Sequence, residues 1–224
     1  MQGHVSILSV SPEAAAMIAS GGRISTMDGT ADEIYANSLS AGQEKNEKLI
    51  GKVLSSGHTS VLEHCYVNLS FENVSVLAEQ FLIEFRLASF TVKSRRYVDF
   101  SKAGYVSPVF TDNVQMAIFE RTVESLFGTY DVLEAAGVPK EDARFVLPYC
   151  FCSNFFCSMN ARELVHVMNE LAYGRGSRIP ELRALGESLF AQCEQQIPFL
   201  AVRKPEAYRQ SDAFCLRQVQ LLTS

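Results

Sequence analysis

Between Arg86 and Val98 the chain reads Arg-Leu-Ala-Ser-Phe-Thr-Val-Lys-Ser-Arg-Arg-Tyr-Val, directly after an apolar segment with helical spacing. Lys93, Arg95 and Arg96 surround Ser94 and gather positive charge beside a hydroxyl donor. Guanidinium forks and hydroxyls both donate to phosphate oxygens, so the segment suits a phosphate-bearing ligand. A solvated basic surface loop is the competing reading of the same composition.

The elements around this segment must position it. Val5 to Val10 reads as a first strand, and Ser11-Pro12-Glu13 as a helix start with Ser as cap, the helix stopping at Gly21-Gly22. Thr26 to Asn37 reads as loop and short helix, and Glu44 to Ser55 as a helix with Leu49, Ile50, Val53 and Leu54 on its apolar side. Cys65 to Phe71 alternates, with Cys65, Val67, Leu69 and Phe71 on one face, which predicts a half-buried strand. Ser75 to Phe85 is helical, and the basic segment follows as turn and loop leading into extended chain. Asp112 to Ala136 is a long helix ending at Gly137, and Cys150 to Met159 is a central strand. Asn160 caps a helix with Glu163 three residues on; Gly174 and Gly176 break it, and Pro180 opens a last helix that Pro198 ends. The class is α/β, a mixed sheet with long helices.

A net charge of −5 argues against a general nucleic-acid binder; a basic pocket in an acidic protein fits a small anionic ligand. At 224 residues and 47% hydrophobic, residues 1–224 read as one domain that buries roughly 70% of its unfolded surface. Cysteines stand at 65, 150, 152, 157, 193 and 215. Cys150-x-Cys152-x(4)-Cys157 lacks partners at zinc spacing, so buried reduced thiols are expected in place of a metal site. With no secretory signal ahead and no apolar run of ~18 residues, the expectation is a cytoplasmic protein without a membrane span.

Three blocks resemble the flavin-dependent thymidylate synthase family. That family's signature is Arg-His-Arg, seven residues, then Ser, usually followed closely by Arg-Tyr. Arg86 matches the last Arg of the triplet, Ser94 the Ser, and Arg96-Tyr97 the Arg-Tyr, while Glu84 and Phe85 stand where the family has Arg and His. Gly57-His58-Thr59-Ser60-Val61-Leu62-Glu63-His64 is similar to its Gly-His-x-Ser/Thr-x-x-Glu-His segment. Ala143 to Pro148 and Met159 to Leu164 resemble its Ala-Arg-x-x-Leu-Pro and Asn-Ala-Arg-x-Leu.

The resemblance implies a thymidylate synthase-complementing fold and a homotetramer with active sites shared between subunits. It implies FAD as cofactor, with NADPH and methylene-tetrahydrofolate as co-substrates, and C5 methylation of a pyrimidine nucleotide of the dUMP or UMP type. Lys93, Ser94, Arg95, Arg96 and Arg144 form the expected nucleotide-phosphate set; His58, Ser60, Arg86, Asn160, Arg162 and His166 form the expected flavin set. For His64, a satisfied core histidine is an equal reading. Ser94 stands where the family's serine has been treated as a nucleophile, yet no base lies near in sequence, and donation to phosphate is the simpler role.

The uracil-facing positions depart: Phe81 replaces Gln, Val92 a polar residue, and Leu171 an Arg. Arg175, four residues after Leu171, could act catalytically in its place if the helix runs one more turn. These losses keep a second expectation open: a non-catalytic nucleotide-binding or assembly protein on the same scaffold.

Overall fold

The computed structural model describes residues 3–208 of the chain; Cys215 lies outside them. Strands β1 (His4–Val10), β2 (Tyr66–Ser75), β3 (Ala88–Val92) and β4 (Cys152–Asn160) form a four-stranded antiparallel sheet in the order β1-β2-β4-β3. The α/β class expected from the sequence holds. The run around Cys150 is the central strand anticipated. The basic segment, expected to be turn and loop, first forms β3 and only then becomes a loop, because Ala88 to Val92 alternates and pairs beside β4.

By contact the chain divides into two compact units. The first contains Ser70–Glu84 and Phe90–Phe156 with the start of the chain through Val5; the second contains Ser6–Leu69, Phe85–Ser89 and the chain from Cys157 on.

In the first unit, Ser75 caps helix α4 (Val76–Ile83) by accepting from the Ala78 N–H at 3.0 Å. Asp112 caps helix α5 (Asn113–Ala135), and a short helix α6 (Lys140–Ala143) follows. Val76, Phe100, Tyr130, Ala143, Leu147 and Phe151 make a shared apolar core. Burying such side chains is worth about 1.5–3 kcal/mol each for the large ones, before the entropy of ordering the chain. Of the 23 residues of α5, only Val123 and Tyr130 are buried, and Val114, Ile118 and Val132 remain exposed.

The second unit holds helices α1 (Ala14–Arg23), α2 (Ala31–Ala41), α3 (Gln43–Ser55), α7 (Ala161–Ala172) and α8 (Pro180–Gln196). Two expectations for α1 fail. Ser11 does not cap it: the cap residue is Glu13 in a left-handed conformation, and the Ser11 hydroxyl is engaged by the Tyr66 backbone. Its end falls at Arg23, within a residue of the one expected, but Gly21 and Gly22 do not cap it: both are helical. A Cβ at Gly21 would stand 3.3 Å from the His64 ring and one at Gly22 3.2 Å from Val53, so these glycines permit close packing of the helix's last turn. Within Thr26 to Asn37, helix α2 starts behind a reciprocal Thr30–Glu33 capping box.

Cys65, Val67, Leu69 and Phe71 are fully buried, as their alternation required. The described cysteines are all free thiols, and no His/Cys/Asp/Glu cluster among the described residues could hold a metal. Burial pushes the Cys65 thiol up to about 11 and those of Cys157 and Cys193 up to about 12, leaving them protonated and inert. No helix among the described residues is long and apolar enough to cross a membrane.

Candidate functional site

The expected nucleotide-phosphate residues fall in the first unit. Beyond β3, the Lys93 N–H donates to the Asn154 carbonyl at 3.0 Å, and the Val98 N–H to the Ser94 carbonyl at 3.1 Å. The Ser94 hydroxyl accepts from the Arg96 N–H at 3.3 Å, which leaves its own O–H able to donate outward. Lys93 and Arg96 are exposed, and no carboxylate pairs with either among the described residues. Arg144 is half-buried; its Nε donates to the Glu141 carbonyl at 2.9 Å and its guanidinium lies beside Phe145.

Arg95 departs from the group. Its Nη2 donates to Glu79 at 2.6 Å, and its guanidinium sits over the Phe151 ring, 5.2 Å from the centroid. Expected as one more cation for phosphate, it is neutralised from within. A carboxylate inside the apolar Ser75–Phe85 segment was the signal for such a partner, because a buried charge requires one.

The expected flavin residues fall in the second unit. At the end of α3 the His58 N–H bonds to the Val53 carbonyl, a turn that requires Gly57 at φ 85°. The chain then runs through a 3-10 turn, Ser60–His64, into β2. His58 and Ser60 are exposed; His64 is exposed as well, so it is no core histidine. Asn160 accepts from the Glu163 N–H at 2.9 Å and starts α7, the cap its sequence foretold. The Ala161 N–H donates to the Cys65 carbonyl at 2.7 Å, and Arg162 pairs with Glu63. Segments nearly a hundred residues apart in sequence therefore meet.

Arg162, His166 and Asn169 share one face of α7 and line a cavity of about 390 Å³. Thr59, Leu87 and Tyr208 contribute to the same wall. Tyr208 Oη lies 3.0 Å from His166 Nδ1. Burial, with the nearby Glu170 and Glu163, pushes the Tyr208 phenol up to about 12, so it stays protonated; which partner donates in this bond is set by the imidazole tautomer. Phe85, in the place of the family's His, packs edge-on against the His166 ring at 5.5 Å. Arg86 is exposed nearby in sequence.

Asn169, Lys204 and Tyr208 were missed by sequence reasoning. Asn169 was legible as the next turn of the Arg162–His166 face. Lys204 and Tyr208 carry no local signal; they reach the cavity because buried Asn169 accepts from the Lys204 N–H at 2.7 Å and donates to the Val202 carbonyl at 2.8 Å.

The second unit corrects one premise. Helix α7 ends at Ala172, and Arg175 begins a separate 3-10 turn with its N–H on Glu170 and its guanidinium 3.7 Å from the same carboxylate. The extra helical turn that would carry Arg175 over Leu171 is absent. Leu171 is itself fully buried; a Cβ added at Gly186 of α8 would stand 2.8 Å from it. In the first unit, Phe81 and Val92 are half-buried. Glu84 is exposed at the end of α4, while Arg95 takes Glu79 as its partner.

The cavity residues fit a flavin dinucleotide in kind. Arg162 and Lys204 supply positive charge for a pyrophosphate, Leu62, Leu87 and Val165 an apolar wall, and Thr59 a hydroxyl. The volume is at the lower end for small-molecule sites, enough for part of such a cofactor.

The description "Thymidylate synthase complementing protein" belongs to the family whose model matches residues 6–199. A flavin-dependent thymidylate synthase of Nitratidesulfovibrio vulgaris is 31% identical over 209 residues, covering 88% of this chain and 84% of that protein. Another, of Geobacter sulfurreducens, is 34% identical over 166 residues, covering 72% and 70%. The UMP/dUMP methylase PolB from Streptomyces cacaoi, solved with 5-Br dUMP bound, superposes with a TM-score of 0.72 at 21% identity, covering 89% of this chain and 93% of that one. At that identity the likeness speaks for the fold. The sequence matches reach further, and this chain belongs to the thymidylate synthase-complementing family.

Proposed function

We propose that this protein is an FAD-dependent enzyme that methylates C5 of a pyrimidine nucleotide of the dUMP or UMP type. Methylene-tetrahydrofolate is the carbon donor and NADPH the reductant. The carrying observation is the meeting of the family segments around His58–His64 and Asn160–His166 at one cavity in the second unit. Bound there, FAD supplies hydride chemistry that no side chain offers. Arg162 and Lys204 hold its phosphates and His166 orients it; His58, Ser60, Arg86 and Asn160 do not line the cavity, and their flavin role rests on the family relationship. Ser94, Lys93, Arg96 and Arg144 hold the nucleotide phosphate. Ser94 serves as a donor there, and Arg175 is the arginine nearest in sequence to the lost uracil-activating position.

The apolar residues on α5 and the family relationship support a homotetramer with shared sites. One family match spanning 6–199 supports a single domain over residues 1–224, and free buried thiols support the cytoplasm. The test is direct. Purified protein is examined for flavin absorbance, then supplied with NADPH, methylene-tetrahydrofolate and either dUMP or UMP, and the nucleotide is weighed by mass spectrometry. A mass gain of one CH2, the C5 hydrogen being replaced by methyl, is expected on either nucleotide; colourless protein that takes up no added FAD sinks the reading.

Buried Leu171 favours a second reading, a nucleotide-binding or assembly protein on the same scaffold, because nothing at that position can polarise the base. It is distinguished by nucleotide binding without turnover.

A further inference from the structure

Glu79 is 1% exposed, yet it faces three donors. Arg95 Nη2 donates to its Oε2 at 2.6 Å, the Ser153 hydroxyl donates to the same oxygen, and Gln80 Nε2 donates to Oε1 at 3.0 Å. The partners come from three parts of the first unit: α4 carries Glu79, the loop after β3 carries Arg95, and β4 carries Ser153. Phe151, lying under the Arg95 guanidinium, covers the pair from one side. A pair anchored this deep holds its two elements at one separation, because parting them strands the Glu79 charge away from water.

The same loop is also pinned by the Lys93 and Val98 N–H groups. What remains outward is the Ser94 O–H, the Lys93 ammonium and the Arg96 guanidinium. We propose that Glu79, Arg95 and Ser153 form an internal clamp that presents this loop to a nucleotide phosphate. Arg95 is then a positioning residue, and Ser94, Lys93 and Arg96 make the contact. The phosphate part rests on the functional reading above; the clamp does not.

Glu79→Gln separates the two roles open to Arg95. As a clamp member, Arg95 loses its anchor: affinity for UMP and dUMP falls about tenfold, while uridine binding changes little. Arg95→Gln does the same. The double variant E79Q/R95Q, with two amides of similar size facing each other, recovers part of the loss. If Arg95 instead grips phosphate, Glu79→Gln releases it, and unchanged or tighter monophosphate binding overturns the proposal. Amide hydrogen exchange at Arg96 and Val98, read without any ligand, must quicken in Glu79→Gln; unchanged protection also overturns it. Should wild type bind no pyrimidine nucleotide, the functional reading falls, and exchange still decides the clamp. Should Glu79→Gln fail to fold, Ser153→Ala reads the same signals at about threefold amplitude, and no change in either refutes the clamp.

Discussion

Two Glu–Arg pairs, one in each unit, join the same chemical groups and do opposite work. In the first unit, Glu79 is 1% and Arg95 18% exposed; in the second, Glu63 is 44% and Arg162 51% exposed. Water can replace either partner of the exposed pair at little loss, so Glu63 holds Arg162 only weakly. The buried pair has no such substitute. The same two charged groups thus make a deep contact in one place and a solvated one in the other, and burial together with the added Ser153, Gln80 and Phe151 contacts separates them.

Glu79→Ala tests the deep contact and carries the largest expected effect. It leaves the Arg95 charge buried without a counter-charge, and denaturant unfolding should show a loss of ~3–5 kcal/mol. A loss under ~1 kcal/mol would make the two pairs equivalent and erase the comparison. Removing the 5′-phosphate from the nucleotide comes next. Charge-assisted bonds from Ser94 and Arg96, at ~1.5 kcal/mol or more each, should make it cost ~3 kcal/mol of affinity, beyond that of exchanging uracil for cytosine. Calorimetry showing uridine bound as well as UMP would remove the phosphate role from the loop.

Arg162→Ala tests the solvated contact. FAD affinity should drop by ~1.5–3 kcal/mol, followed by flavin fluorescence, with global stability changed by less than ~1 kcal/mol. Glu63→Gln is the sharpest and smallest. Freed from its carboxylate, Arg162 should bind FAD up to ~1 kcal/mol more tightly, and the gain should shrink as salt is raised. Weaker FAD binding in this variant would show that Glu63 helps to position Arg162.

Much of this was legible where the controlling interactions are local or periodic. The burial of Cys65, Val67, Leu69 and Phe71 followed from a period of two, and the Asn160 cap from its own backbone and Glu163. Local rules failed where distant chain intervened. Ser11 could have capped α1, but Tyr66 arrives to take its hydroxyl; Gly21 could have capped its end, but Val61 and His64 pack onto it. Motif matching found Arg162 and His166 and overlooked Glu79, because a carboxylate sixteen residues before Arg95 belongs to no motif. The cavity wall formed by Lys204 and Tyr208 was beyond reach for the same reason: one buried amide places it.

That amide, Asn169, behaves like a single rung of sheet, offering a donor to Val202 and an acceptor to Lys204 as a neighbouring strand would. For anyone trimming or tagging this polypeptide, it shows that the segment from Val202 to Tyr208 belongs with the cavity. A chain cut before Val202 would lose Lys204 and Tyr208 from the cavity and leave the Asn169 side chain without two of its partners. Asn169→Leu in the full-length protein would imitate that truncation without shortening the chain, which makes the cavity's dependence on its last wall open to measurement by a single codon change.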